Sequence, residues 1–239
     1  MTIYRLFVNA KSGREGLLNV VAFVVALLTA LILHEIAHGL VALWNGDNTA
    51  KLYGRLTLNP LKHFDWVGLL MMFIVGFGWA RPVPVNPNNF KNRKVGAITV
   101  SVAGVLTNLI IAFLAAMGKV AIGQIDVAGM SESMYYFTYF CYELMSLLLT
   151  LNVTFALFNI LPLYPLDGYR LLSCFVNENN RVMVFLRKYS LYILLGLIAI
   201  DYLFEYVTVI PNCSPLNWYL SEFGGLIQTG FLKFWGLIF

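Results

Sequence analysis

Charge is scarce in this chain: Asp, Glu, Lys and Arg make up 12% of its 239 residues, about half the share of an ordinary soluble domain. With 59% hydrophobic residues and a mean hydropathy of +0.75, too few polar side chains remain to coat a water-soluble globule. That composition belongs to a polytopic membrane protein. Cysteine is as sparse. Cys141, Cys174 and Cys213 lie far apart and none forms a C-x-x-C pair, which excludes a disulfide framework and a zinc ribbon. The net charge of +4 is small and scattered, which argues against a nucleic-acid partner; basic residues beside apolar spans are ordinary topology markers. No connection between the apolar stretches is long enough for a separate globular unit, so residues 1–239 are expected to form a single membrane-embedded domain.

Against this apolar background, Leu31-Ile-Leu-His-Glu-Ile-Ala-His-Gly39 stands out. His34 and His38 are four residues apart, so on a helix they share one face and can aim ring nitrogens at one metal, with Glu35 beside them as a candidate base. The pattern is H-E-x-x-H. Three ionisable groups within five residues of a lipid-soluble helix are costly unless they face a cavity, a pathway or a metal. In a catalytic zinc site two histidines and one further protein ligand leave a position for water, and a carboxylate outside the coordination sphere can take its proton. The metzincin extension fails, because Val41 and Trp44 stand where glycine and a third histidine are needed. The third ligand has to come from elsewhere in the chain.

The first span is expected from about Leu17 to Leu40. Arg5, Lys11 and Arg14 before it imitate a secretory signal, but the run carries His34 and Glu35 and lacks an A-x-A site, so it reads as a retained helix. Lys51-Leu-Tyr-Gly-Arg-Leu-Thr-Leu58 alternates and is expected to form a strand or short membrane-associated β-hairpin. Trp66 to Trp79 is apolar but too short to cross as a helix, and Gly76-Phe-Gly-Trp79 supplies breakers and an aromatic anchor. It reads as a re-entrant or interfacial element. Further spans are expected at Val95–Gly118, Phe137–Leu161 and Tyr189–Ile210, with a last apolar piece, Leu226–Phe239, short for a full crossing. The expected fold class is therefore an all-α polytopic membrane protein with about four to six transmembrane helices.

Parity constrains the metal site. The first span exits just after His38, and the span ending at Leu161 exits just before Asp167. If Trp66–Trp79 crossed the membrane, those exits would lie ~30 Å apart; if it only dips, they coincide. Residues 44–94 carry seven Lys or Arg and 162–188 carry four, against one in 119–136 and none in 211–225, which puts the site on the cytoplasmic face of a cell membrane. The three basic residues of the N-terminal tail run against that orientation. For the third ligand the candidates are Asp167, His63 and Asp65. Asp167 is preferred: it follows a helix end broken by Pro162 and Pro165, and Gly168 permits a tight turn. His63 and Asp65 read equally well as a turn and helix start.

With both patterns in hand, the sequence resembles the site-2 protease family of intramembrane zinc metalloproteases. His34-Glu-Ile-Ala-His38 matches its metal motif, and Asn159-Ile-Leu-Pro-Leu-Tyr-Pro-Leu-Asp-Gly168 its N-x-x-P-x-x-P-x-D-G motif. Asn59-Pro-Leu-Lys-His63 and Arg81-Pro-Val-Pro-Val85 look like the compact prokaryotic branch, and Ala103-Gly-Val-Leu-Thr-Asn108 resembles the G-P-x-x-N stretch with Val105 in place of proline. The resemblance covers a core of about 17–188, leaving C-terminal helices over about 189–239. It implies one zinc ion per chain held by His34, His38 and Asp167, Glu35 as the base that activates water, and Asn159 steadying the substrate or the oxyanion. The implied partners are the lipid bilayer and a membrane-spanning protein substrate. Asn108, Gly76 and Gly78 are the expected substrate-binding positions, with Gly76–Val85 an edge along which an extended substrate could pair. Competing readings are metal transport or sensing, and a proteolytically silent membrane scaffold.

Overall fold

The computed structural model describes residues 10, 12–68, 80–177, 179–207 and 214–239. The elements are α1 (Gly13–Trp44), α2 (Thr49–Leu52), α3 (Arg93–Gly123), α4 (Glu132–Asn159), α5 (Asp167–Ser173), α6 (Arg181–Val207) and α7 (Pro215–Gly236), with single 3-10 turns at Pro60–Lys62 and Pro87–Asn89. Among the described residues, four segments are long and apolar enough to cross a membrane: Gly13–Trp44, Arg93–Gly123, Glu132–Asn159 and Arg181–Asp201. The chain is an all-α polytopic membrane protein. Its outer surface fits that medium, because Leu106, Ile110 and Leu114 line one exposed stripe of α3 at helical spacing.

Each long helix starts where its sequence supplies a cap. Ser12, Asn92, Ser131 and Ser214 accept backbone N–H groups from the first turns of α1, α3, α4 and α7, satisfying donors that a lipid-embedded helix end cannot leave open. The core is the packing of α1, α3 and α4, with α7 laid against α3 and α4 and α6 resting mainly on α7. Small residues make the close approach possible. On α1 Ala22, Ala26, Ala30, His34, His38 and Ala42 recur every four residues and all are buried, forming one strip along the helix. Phe23 and Leu27 of α1 meet Leu147 of α4, and Ala112, Ala115 and Ala116 of α3 meet Leu149 and Val153 of α4. The two histidines thus continue a strip of alanines into the end of the bundle.

Segment 45–92 leaves and rejoins the bundle at the same end: Lys91 N–H donates to the Asn45 carbonyl at 2.8 Å. The exits after His38 and before Asp167 therefore coincide, as the parity argument requires. Most of Trp66–Trp79, including Gly76 and Gly78, lies outside the described residues. The expected strand or hairpin over Lys51–Leu58 is not formed. Asp47 Oδ1 accepts both the N–H (3.1 Å) and the hydroxyl (2.5 Å) of Thr49, which starts the helical turn α2. The chain then turns at Gly54 (φ 60°), and Arg55 leaves the alternation because its side chain is buried against another loop. Antiparallel pairing in this region is limited to one bridge, Phe64 to Ala80, among the described residues. The C-terminal pieces are longer than expected, as α6 begins at Arg181 and α7 at Pro215.

Candidate metal centre

The four-residue strip of α1 delivers His34 and His38 to one point, and the break after α4 brings Asp167 to it as the first residue of α5. His34 Nε2 and His38 Nε2 are 3.0 Å apart, and Asp167 Oδ2 lies 3.2 Å and 3.0 Å from them. All three side chains are buried. Each imidazole turns its other nitrogen to an oxygen: His34 Nδ1 lies 2.6 Å from Asn108 Oδ1 and His38 Nδ1 lies 2.7 Å from the Val100 carbonyl, both on α3. Since a carbonyl can only accept, both Nδ1 atoms carry the proton and both Nε2 lone pairs face Asp167.

That arrangement fits a zinc ion on the protein's own geometry. Three ligand atoms around zinc at ~2.0–2.2 Å stand about 3.3–3.6 Å apart in a tetrahedron, a few tenths of an ångström beyond the three separations found. Asp167 Oδ2 is buried without a hydrogen-bond partner, so two lone pairs and a carboxylate oxygen converge on a space that calls for a cation. Arg170, one turn along α5, sits 3.7 Å from the opposite oxygen, Oδ1, and steadies the carboxylate from the far side.

Glu35 is half-buried beside this trio, and its Oε2 accepts the Val83 N–H at 2.8 Å. It is next to the ligands and outside their set. Asn108, expected at the substrate, is fully buried behind His34. Its Nδ2 donates to Asn152 Oδ1 at 2.7 Å and to the Ala30 carbonyl at 3.3 Å, while Asn152 donates to Leu148 at 2.8 Å. Asn108 thus supports His34 from behind. Asn159 ends α4 with Nδ2 on the Phe155 carbonyl of its own helix at 3.1 Å. Neither His63 nor Asp65 joins the trio. Asp65 Oδ1 accepts Val67 and Gly68 N–H groups, as a helix start does, and His63 is buried with Nε2 on the Thr57 carbonyl at 2.8 Å.

The extended strap of residues 80–86 closes one side of the site. Its amides and carbonyls are held in turn: Arg81 N–H by His63 O at 2.8 Å, the Arg81 and Pro82 carbonyls by Arg55, Val83 N–H by Glu35 and Asn86 N–H by Asp47 at 2.7 Å. Burial alone would raise the Asp47 pKa, but hydrogen bonds from Thr49, Asn86 and Asn89 outweigh it and hold the carboxyl below its ordinary value. Burial lowers the Arg55 pKa, neighbouring Arg81 adds to that and Glu35 opposes it. Sequence alone does not single out Arg55, Val100 or Arg170, and it places Val83 only within the Gly76–Val85 edge, where the structure gives its N–H to Glu35 instead of leaving it open. The i, i+3 spacing of Asp167 and Arg170 at a helix start was the one available signal.

No family model and no solved structure matches the chain. Over 158 residues it is 42% identical to "Putative zinc metalloprotease YwhC" of Bacillus subtilis, covering 66% of this chain and 70% of that protein. Over 223 residues it is 27% identical to "Putative zinc metalloprotease Rip2" of Mycolicibacterium smegmatis, covering 89% and 80% of the two chains. With that identity over more than two thirds of the Bacillus protein, and with an H-E-x-x-H pair meeting a distant aspartate in a buried trio, the chain belongs to the same family as YwhC.

Proposed function

We propose that this protein is an intramembrane zinc metalloprotease of the site-2 protease type, hydrolysing a peptide bond of a membrane-spanning substrate near the cytoplasmic face. One observation carries it: His34, His38 and Asp167 converge with an unpaired buried carboxylate oxygen while Glu35 stands beside them with a carboxylate outside the ligand set. One ion per chain would be held by His34 Nε2, His38 Nε2 and Asp167 Oδ2. Bound there, zinc supplies Lewis acidity, lowering the pKa of a water and polarising a carbonyl. Glu35 would take a proton from the attacking water and return it to the departing amine. Asn108 and the Val100 carbonyl keep both imidazoles in the tautomer that presents Nε2. Asn159, at the α4 end that leads to Asp167, is the candidate to steady the substrate carbonyl.

Transport gains no support. Between the trio and the far end of α1 lie Ala22, Phe23, Ala26 and Leu27 packed on Leu147, an apolar plug where an ion path would need polar groups. The deciding experiment combines zinc stoichiometry with cleavage of single-span substrates in liposomes. Wild type should hold about one zinc and cleave, Glu35→Gln should keep the metal and lose cleavage, and Asp167→Ala should lose both. Cleavage by Glu35→Gln at the wild-type rate would remove Glu35 as the base and end this mechanism.

A further inference from the structure

Arg55 is a buried cation in a loop outside the bundle, with 7% of its surface exposed. Its Nη2 donates to the Arg81 carbonyl at 2.5 Å and reaches the Pro82 carbonyl at 3.3 Å, while Nε has no partner. Burying a guanidinium for two neutral acceptors, one nitrogen unpaired and a second arginine nearby, is a costly way to fill space. The location of those two carbonyls gives it a purpose. They belong to the peptides immediately before Val83, whose N–H is bonded to Glu35 Oε2 at 2.8 Å. Val83 is pressed onto α1 at Gly39, where an added Cβ would fall 3.1 Å from Val83 Cγ1. Pro82 and Pro84 flank it and offer no N–H of their own, so within residues 82–84 Val83 carries the one amide donor.

We infer that Arg55 is a positioning residue for the general base: it fixes the Arg81–Pro82 carbonyls so that the Val83 N–H holds Glu35 beside the metal ligands. The inference rests on the proposed role of Glu35. Arg55 touches neither the ligands nor, on this account, the substrate. Glu35 is a single-bonded side chain on a helix, free to rotate about three torsions, and one oxygen anchored by a fixed amide leaves the other directed at its work.

The test uses Arg55→Met, which keeps length and packing but cannot donate, with Arg55→Lys as the conservative variant. The first readout needs no substrate: exchange of the Val83 amide, followed by NMR in the 15N-valine-labelled chain in micelles. Arg55→Met should lose at least about tenfold of the Val83 protection and Arg55→Lys should regain part of it. The second readout is cleavage of a fluorogenic single-span peptide by the zinc-loaded chain in liposomes. Arg55→Met should lower kcat about ten- to a hundredfold with KM within about twofold and zinc still bound. Unchanged Val83 protection, unchanged kcat, or loss of zinc in step with kcat would each overturn the inference and leave Arg55 a fold anchor. Failure of the underlying reading is distinct: Glu35→Gln would then cleave as wild type does, while the Val83 readout would still report whether Arg55 orders the strap.

Discussion

Gly104 lies directly beneath the His34 ring: a Cβ at this position of α3 would fall 2.6 Å from both Nδ1 and Nε2. The imidazole therefore rests on the backbone of the neighbouring helix, and Asn108, one turn further along α3, meets its Nδ1. Gly104→Ala should leave α3 intact, since alanine is the better helix former by about 0.5–1 kcal/mol, yet push His34 off its partner. The expected result is a ten- to hundredfold weaker zinc affinity, roughly the range for a displaced ligand support, read by chelator competition with helicity unchanged. Full zinc affinity in Gly104→Ala would show that the ring has room that the packing denies.

The chain His34–Asn108–Asn152 predicts coupled effects. Asn108→Ala removes the acceptor that sets the His34 tautomer and leaves Asn152 Oδ1 without its donor. Zinc affinity should fall about ten- to a hundredfold. Asn152→Ala should fall less, because Asn108 Nδ2 retains the Ala30 carbonyl. The double variant should lose less than the sum of the singles, as expected for groups in one network. Strict additivity in the measured affinities would mean that the two asparagines act separately.

Acid should loosen the strap through Asp47. This carboxylate is fully buried and accepts hydrogen bonds from Thr49, Asn86 and Asn89, none of which titrates. Its folded-state pKa is lowered, so its stabilisation is complete above the unfolded-chain value and disappears as pH falls through the folded one. Wild-type thermal midpoints should therefore drop on acidification below the ordinary carboxylate range. Asp47→Ala, which strands buried donors, should cost roughly 1–3 kcal/mol at neutral pH, and Asp47→Asn should flatten the acid limb. An acid limb of unchanged slope in Asp47→Asn would assign the effect to other carboxylates.

The long helices and the two histidines were legible because both follow period: apolar runs of membrane length, and ligands four apart on one helix face. Asp167 is legible from parity and from the helix end broken by Pro162 and Pro165, with Gly168 after it, and the family motif agrees. The loop between α1 and α3 departs from the strand expected at Lys51–Leu58, because alternation is a weak signal over eight residues. There Asp47 and Thr49 nucleate a helical turn, and the buried Arg55 breaks the pattern. The sequence assigns Asn108 to the substrate and the structure assigns it to His34, since nothing in the spacing of α1 and α3 says which residue of α3 meets that ring. Arg55 and Val83 stayed hidden for a further reason. The bond that matters is made by backbone atoms, and backbone amides and carbonyls carry no mark in a sequence.

Metal removal should destabilise the protein, and by an amount that the ligands control. Without a cation, Asp167 Oδ2 is buried opposite two imidazole nitrogens, and the half-exposed Arg170, 3.7 Å from the other oxygen, compensates that charge only in part unless a proton enters the site. On the proposed assignment zinc would bind only the folded arrangement of His34, His38 and Asp167, so it should stabilise by about 2.7 kcal/mol at a free concentration of a hundred times Kd. The thermal midpoint of the wild type should rise on zinc addition and fall back with chelator. Asp167→Ala should show no zinc-dependent rise, and it should match or exceed the stability of the metal-free wild type because the unpaired carboxylate is gone. Glu35→Gln should keep the full zinc-dependent rise, since Glu35 lies outside the ligand set. A zinc response lost in Glu35→Gln would make Glu35 a ligand and require the assignment of Asp167 to be redrawn.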